Sequence, residues 1–417
     1  MRIKIKKRKN LIIALFITAL AIGLCCVFAA CSKAQASSSL TRDPVYTSAA
    51  PTDISPDSVL TGSASKSLEY SDPMSSLYSQ KIYTREKWLA DLMKTLDLPI
   101  ADRTDIQTVF LTAYHNGIID DPNLQPDHIL TRRFTAHTLV KALGYSARDF
   151  ALADITDPDS DLSTVAYYGY FSPDDSGNID PDALITEEEY HRLITEVSRY
   201  HAFSGKTILA FGDSIMYGSG NHGVGIADLL GEKYHMTVYD YSVSGATFGY
   251  YKSRSHIPDQ IRRASGTVTD PDIILLNGGT NDMEYVAMGS ESPGYEESFL
   301  DESTFAGGFE YASLLLQTHW HDTPVLYIRA HNMDTVEDAK EQQYGTMALE
   351  LAEKWSLSSV DIYSDSDLCT EKPEYRNAYT SFKEKLGRCD GIHPTALGYS
   401  KFYLPLIEPA FGSLLGK

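Results

Sequence analysis

The sequence predicts an α/β fold, a parallel sheet with helices on both faces, in the second half of the chain, preceded by a mainly helical region. Three observations carry this. After Lys206, short β-rich runs alternate with helical stretches, the pattern of strands joined by crossover helices. Between Tyr83 and Tyr200, three segments that open on Thr place their apolar residues on one helical face. Residues before Tyr83 show neither pattern, so the organisation reads as an export segment at 1–30, a linker at 31–80, a helical domain at 81–203 and an α/β domain at 204–417.

Composition bounds the function before any motif is read. In a chain of 417 residues, 43% hydrophobic and 22% charged is globular, which excludes wholesale disorder, collagen and a polytopic membrane protein. The net charge of -20 repels a phosphate backbone, so nucleic acid is not an expected partner. The charge is unevenly placed: Arg2, Lys4, Lys6, Lys7, Arg8 and Lys9 precede any acid.

That basic stretch leads into an uninterrupted apolar or small-residue run from Leu11 to Ala30, long enough to span a hydrocarbon core. A basic segment, an apolar segment and small residues at its end are the parts of a secretory signal, and positive charge stays on the cytoplasmic side. Everything after it is expected outside the cell. The run closes on Phe28-Ala29-Ala30-Cys31, which resembles a bacterial lipobox with Phe28 in place of the usual Leu. The resemblance implies lipidation of Cys31; an uncleaved signal anchor is the alternative, and either tethers the chain to a membrane.

Of five cysteines, Cys25 and Cys26 lie in the export segment and Cys31 is the lipidation candidate. Cys369 and Cys389 remain. In an exported chain they read as a disulfide, which beside Asp390 would brace a functional loop, or else as two buried thiols.

From Ser32 to about Gln80 the sequence is rich in Ser, Thr, Ala, Pro and Asp without apolar periodicity, the composition of a flexible stalk. A unit then recurs. Thr84, Thr131 and Thr186 each open a helical pattern, and Gly-containing turns with polar loops stand between them. The arrangement resembles the S-layer homology region of bacterial surface proteins, whose repeats carry a Thr-Arg-Ala-Glu-like tetrapeptide at a helix start. Only Thr84-Arg85-Glu86 keeps that order; Arg133 and Glu187 depart from it. The resemblance implies binding of cell-wall polysaccharide through residues 83–200, with Arg85 as the sugar-acid contact, against a helical spacer or docking module. Asp157, Asp159 and Asp161 have the spacing of a calcium loop, but Leu162 occupies the position that needs Gly and Tyr168 the one that needs a bidentate acid, so solvated loops are expected.

In the α/β domain, strands are expected at Thr207–Phe211, Thr237–Tyr241, Ile273–Leu276, Val325–Ile328 and Val360–Tyr363, and helices at Phe305–Gln317 and Gln343–Trp355. Ligands in such folds sit at the carboxyl ends of the strands. Four blocks stand there or close the chain: Phe211-Gly212-Asp213-Ser214, Ser242-Val243-Ser244-Gly245, Gly278-Gly279-Thr280-Asn281-Asp282 and Asp390-Gly391-Ile392-His393-Pro394. A serine hydroxyl becomes a competent nucleophile when an imidazole oriented by a carboxylate takes its proton. His393 and Asp390, three residues apart in a turn, fit those roles beside Ser214. The oxyanion of an acyl transfer then needs pre-aimed donors. Backbone N–H groups of Ser214 and Gly245 and the Asn281 amide can supply them.

The four blocks, in this order and context, resemble the SGNH, or GDSL-type, hydrolases over about Ser204 to Lys417. The resemblance implies a flavodoxin-like three-layer sandwich with a parallel sheet and metal-independent ester hydrolysis, without a cofactor, by Ser214, Asp390 and His393, with Ser214, Gly245 and Asn281 as oxyanion hole. An α/β-hydrolase is disfavoured, because its nucleophile elbow needs Gly two residues after the Ser and Met216 stands there. The expected enzyme is a membrane-tethered extracellular serine esterase acting on acyl esters, O-acetyl groups on glycans foremost. A lipid esterase or acyltransferase would use the same triad, and a wall-binding scaffold with a vestigial domain is the non-catalytic alternative. His331 and Asn332 follow the fourth strand and are candidates for substrate contact or loop structure. Met283–Ser303 is the expected substrate loop, and His319, Trp320 and His321 read as a helix end rather than a metal site.

Overall fold

The computed structural model describes residues 82–103, 105–147, 160–172, 178–334 and 337–416. The export segment, Cys31, the linker and the residues Asp157 and Asp159 lie outside them. No helix among the described residues is long and apolar enough to cross a membrane. The described residues all fall within one compact unit. Within it, one buried apolar cluster runs from Tyr83 to Val197 and a second begins at Phe203.

The helical region holds α1 (Arg85–Thr95), α2 (Ile106–His115), α3 (Arg132–Leu143), α4 (Ser160–Tyr167) and α5 (Glu187–Phe203). Thr84, Thr131 and Thr186 cap α1, α3 and α5, each side chain accepting a backbone N–H of the first turn. The repeats interlock by the same bonds twice. Arg85 N donates to His128 O and Arg132 N to Ala183 O; Leu130 N donates to Tyr83 O and Ile185 N to Leu130 O. Short bridges Thr84–Ile129 and Thr131–Leu184 complete each joint. Trp88, buried against α3, donates its indole N–H to Thr138 Oγ1 at 2.8 Å, so the polar edge of the largest core side chain is satisfied. Asp161, expected in a solvated loop, lies instead in the first turn of α4 and faces His137 at 2.8 Å.

The second half is built on β1 (Thr207–Phe211), α6 (Ser214–Tyr217), α7 (Ile226–Tyr234), β2 (Thr237–Asp240), α8 (Ile257–Ser265), β3 (Ile273–Asn277), α9 (Asp282–Tyr285), α10 (Phe305–His319), β4 (Val325–Arg329), α11 (Asp338–Lys354) and β5 (Ser358–Asp361). The chain continues through α12 (Ile362–Asp365), α13 (Pro373–Tyr379), β6 (Thr380–Lys383), β7 (Arg388–Pro394) and α14 (Leu404–Leu415). The five strands β1 to β5 pair in parallel in the order 2-1-3-4-5. Every side chain of β3 and β4 is buried, as a sheet covered on both faces requires. α7 and α14 cover one face, and α8, α10 and α11 the other.

Two expectations are corrected. The fifth strand ends at Asp361, where the Asp361 carboxylate accepts Ser364 N and turns the chain into α12, so Ile362 and Tyr363 are helical. Asp390 and His393 lie not in a turn but on β7, antiparallel to β6 with a register shift between Thr380 and Phe382.

α5 packs against α7 and α14 and so joins the two halves. At this joint Lys233 is 3% exposed and lies 2.5 Å from Glu408 and 3.1 Å from Glu196. Arg199 also pairs with Glu196, and Tyr145 donates its hydroxyl to Lys233 O at 2.6 Å. A buried ammonium held by two carboxylates fixes one docking geometry, because any displacement would strand a desolvated charge.

Candidate active site

The sheet sets the floor of the site. Ser214 directly follows β1 as the first residue of α6, 4% exposed, and Asp213 caps that helix by accepting Ile215 N at 2.9 Å. Burial pushes the Asp213 carboxyl up, against the hydrogen bond from Ile215 and the nearby His393, both of which favour its charge. Gln260 on α8 clamps Gly212 from both sides, accepting its N–H at 3.0 Å and donating to its carbonyl at 2.9 Å. The backbone ahead of the serine is therefore fixed.

β7 brings the other two groups over the sheet. His393 Nε2 accepts the Ser214 hydroxyl at 2.9 Å, and Nδ1–H donates to Asp390 Oδ2 at 2.6 Å. Asp390 Oδ1 accepts the backbone N–H groups of Ile392 and His393, both at 3.0 Å. This back-bonding needs the chain to bend at Gly391, whose φ of +74° lies in the left-handed region and whose missing side chain leaves room for Asp334 Oδ1. Burial alone would raise the Asp390 carboxyl, but the bonds from the His393 ring and from His393 N and Ile392 N outweigh it and hold it down at about 2. A carboxylate held toward its ionised form, an oriented imidazole and a hydroxyl thus form one chain of hydrogen bonds, an arrangement able to draw a proton off the serine as it attacks a carbonyl.

Gly245 and Asn281 stand at the ends of β2 and β3 as expected. Gly245 has φ +83°, and Asn281 Nδ2 donates one hydrogen to Ala246 O at 2.9 Å, which fixes the amide plane and leaves its second hydrogen to spare. Asp282, given no role from the sequence, is what shapes this wall. It is fully buried and accepts Phe248 N at 3.0 Å and Gly249 N at 2.8 Å, tying the loop after Gly245 to α9. Burial pushes its carboxyl up to about 7 despite those bonds.

The expected disulfide is absent. Cys369 and Cys389 are both free thiols: Cys389 lies 3.7 Å from Asn377 O, and Cys369 sits in a short bridge with Asn332. The bracing assigned to it comes from hydrogen bonds instead. Thr380 Oγ1 accepts Gly391 N at 3.0 Å, Thr370 Oγ1 donates to Gly391 O at 2.8 Å, and Asp334 Oδ2 binds Arg376 at 2.6 Å and Arg388 at 2.9 Å. His331 belongs to the same brace. It is fully buried, with Nε2–H on Gly391 O at 3.2 Å and Nδ1 on the Tyr403 hydroxyl at 2.7 Å, which leaves neither ring nitrogen for substrate. Nothing in the sequence signals these partners, because none lies within a motif.

The segment Met283–Ser303 is held at its middle by side chains of the second half. Ser292 is bound to Glu310 on α10 and to Lys354 at the end of α11, and Tyr295 packs edge-on against Trp355 just ahead of β5. The middle of Met283–Ser303 is thus anchored to α10 and α11, while its two ends meet the loop after Gly245, through Tyr285 packed on Tyr251 and through Glu302 O, which accepts Tyr250 N. Trp320 is buried with its indole N–H on Val268 O, and His321 pairs with Asp322 at the surface.

Residues 210–401 match the model of the GDSL-like lipase/acylhydrolase family. That segment is a GDSL-like lipase/acylhydrolase domain. Similar solved structures include a Lactobacillus plantarum protein, 21% identical, covering 50% of this chain and 98% of that one at a TM-score of 0.40. A carbohydrate acetylesterase family member from Sinorhizobium meliloti is 16% identical over 51% of this chain and 100% of that one, TM-score 0.37. An aryl esterase from M. smegmatis is 15% identical over 50% and 99%, TM-score 0.36. No curated protein matches the chain.

Proposed function

We propose that this SGNH hydrolase cleaves O-acetyl esters of glycans, with Ser214 as nucleophile, His393 as general base and then acid, and Asp390 as the residue that fixes the imidazole tautomer. The observation that carries the reading is the continuous hydrogen-bonded path from Asp390 through His393 to Ser214. Attack by Ser214 Oγ on the ester carbonyl passes its proton to Nε2, and collapse of the tetrahedral species returns that proton to the leaving sugar oxygen. Water then repeats the sequence on the acyl-enzyme and releases acetate. The N–H groups of Ser214 and Gly245 and the second hydrogen of the Asn281 amide would receive the oxyanion. Hydrolysis of p-nitrophenyl acetate by the full chain, beside Ser214→Ala, tests the assignment; equal rates for both proteins would end it.

The glycan preference draws support from the helical half. An open cleft of about 690 Å³ is lined by Arg85, His128, Arg133, Phe134 and His137 among others. Arg85 stacks over Phe134 at 4.7 Å, and its Nε is buried with no protein partner among the described residues. A guanidinium over an aromatic ring suits an acidic sugar, in line with the S-layer homology resemblance. We assign this cleft to cell-wall polysaccharide, and the export segment and Cys31 to a lipid tether on the extracellular face of a bacterial membrane. Full-length protein should pellet with purified walls, less so as Arg85→Ala, and Cys31→Ser should lose acyl labelling.

A further inference from the structure

The buried and half-buried arginines of the hydrolase domain answer carboxylates, with one exception. Arg329 binds Asp361 at 3.0 Å and Arg376 binds Asp334 at 2.6 Å. Arg254 is half-buried, yet among the described residues its guanidinium forms neither an ion pair nor a hydrogen bond. Its Cζ lies over the Tyr285 ring, 4.0 Å from the ring centre, and Tyr285 itself packs against Tyr251 at 5.3 Å. In a chain with 56 acidic residues against 36 basic ones, a guanidinium left unpaired beside a catalytic cleft is not a default of composition.

Its position gives it a use. A Cβ at Gly245 would lie 2.7 Å from Arg254 Nη1, so the charge stands against the residue whose N–H is assigned to the oxyanion hole. Two elements hold it there. Arg254 N donates to Tyr251 O at 2.9 Å, fixing the backbone, while Tyr285 rises from α9, directly after Asn281 and Asp282. A stacked guanidinium retains its in-plane N–H donors, and those donors recognise a carboxylate or a phosphate.

We infer that Arg254, stacked on Tyr285, is a specificity-determining residue that binds a carboxylate or phosphate carried by the sugar portion of the ester substrate. This rests on the O-acetyl esterase reading: an acetyl group has no place for a charge, so the anion belongs to the alcohol that leaves. Packing alone explains the stack on Tyr285 but not the missing carboxylate or the placement of Nη1 at Gly245.

The test compares three monoacetylated sugars: a methyl glucuronoside, glucose 6-phosphate and a methyl glucoside. With the full chain, kcat/KM for at least one anionic ester should exceed that for the neutral one by roughly 10-fold or more, the range of a charge-assisted hydrogen bond. The excess should appear in KM, collapse toward unity in Arg254→Met and survive in part in Arg254→Lys, which keeps the charge but not the planar fork. Preference for the uronate marks a carboxylate, and preference for the phosphosugar marks a phosphate; either supports the site. Calorimetric titration of glucuronate and glucose 6-phosphate into Ser214→Ala, with and without Arg254→Met, reads the same contact without turnover, and binding of either sugar should weaken by a similar factor when Arg254 is replaced. An anionic-to-neutral ratio that Arg254→Met leaves unchanged, with Ser214-dependent hydrolysis of p-nitrophenyl acetate intact, overturns the anion site alone. Loss of that Ser214 dependence removes the esterase reading and the anion site with it.

Discussion

His393 Nε2 lies 2.9 Å from the Ser214 hydroxyl across 179 residues of chain. That contact depends on where β7 lies, since Ser214 is fixed by the sheet and His393 by a two-stranded hairpin outside it. Most of what keeps the pair in register is therefore remote from both residues, and the predictions below address that support.

Asp390→Asn should preserve the two bonds from Ile392 N and His393 N to Oδ1 but offer His393 Nδ1 an amide in place of a carboxylate oxygen. The imidazole then loses its reason to hold the productive tautomer. A fall in kcat of roughly 10²- to 10⁴-fold on p-nitrophenyl acetate, with an unchanged melting curve, is expected. Retention of more than a tenth of the activity would show that Asp390 is a structural turn residue.

Asp334→Ala should act through position rather than contact. Two arginines, Arg376 and Arg388, lose their shared carboxylate, and the half-buried Arg376 is left without compensation, at a cost of roughly 2 kcal/mol or more. Well below the lowered melting temperature kcat should still fall by about 10-fold, since a small displacement of the base costs rate. A change in melting temperature with wild-type kcat would confine Asp334 to stability.

Acidification should weaken the fold through His331. Burial lowers its pKa to about 4, against the Gly391 carbonyl that pulls it up, while the unfolded side chain titrates near ~6.5. The unfolded chain therefore takes up the proton first. Stability is complete above about pH 6.5 and is lost progressively as pH falls toward 4, by on the order of 3 kcal/mol. Urea titrations of wild type and His331→Gln across that window measure the difference; parallel pH dependences would show that His331 contributes nothing to it.

Free thiols at Cys369 and Cys389 predict that both alkylate in unreduced protein and that Cys369→Ser changes kcat by less than about twofold. Peptide mapping of the labelled protein checks the first and steady-state kinetics the second. A Cys369–Cys389 peptide in the unreduced digest would return the brace to a disulfide.

The sequence by itself determined the elements whose causes are local. Thr84, Thr131 and Thr186 were readable as caps because an N-cap is satisfied within its own first turn. The parallel sheet was readable because β3 and β4, covered on both faces, must be apolar throughout. Ser214, Gly245, Asn281, Asp390 and His393 were readable because each sits in a short block at a strand end or the chain's close. Tertiary structure alone decided the rest. Asp282 is one of many acids until burial and two distant N–H groups single it out, and His331 looked like a cleft residue until Gly391 and Tyr403 took both its nitrogens. A cysteine pair near Asp390 pointed to a disulfide, while the bonds that hold β7 come from Thr370, Thr380 and Asp334, residues 10 to 56 positions from Asp390 whose types carry no signal at that range. Arg254 is the same case: an arginine's partner, or its lack of one, is fixed by which side chains the fold brings within reach, and sequence spacing does not record that distance.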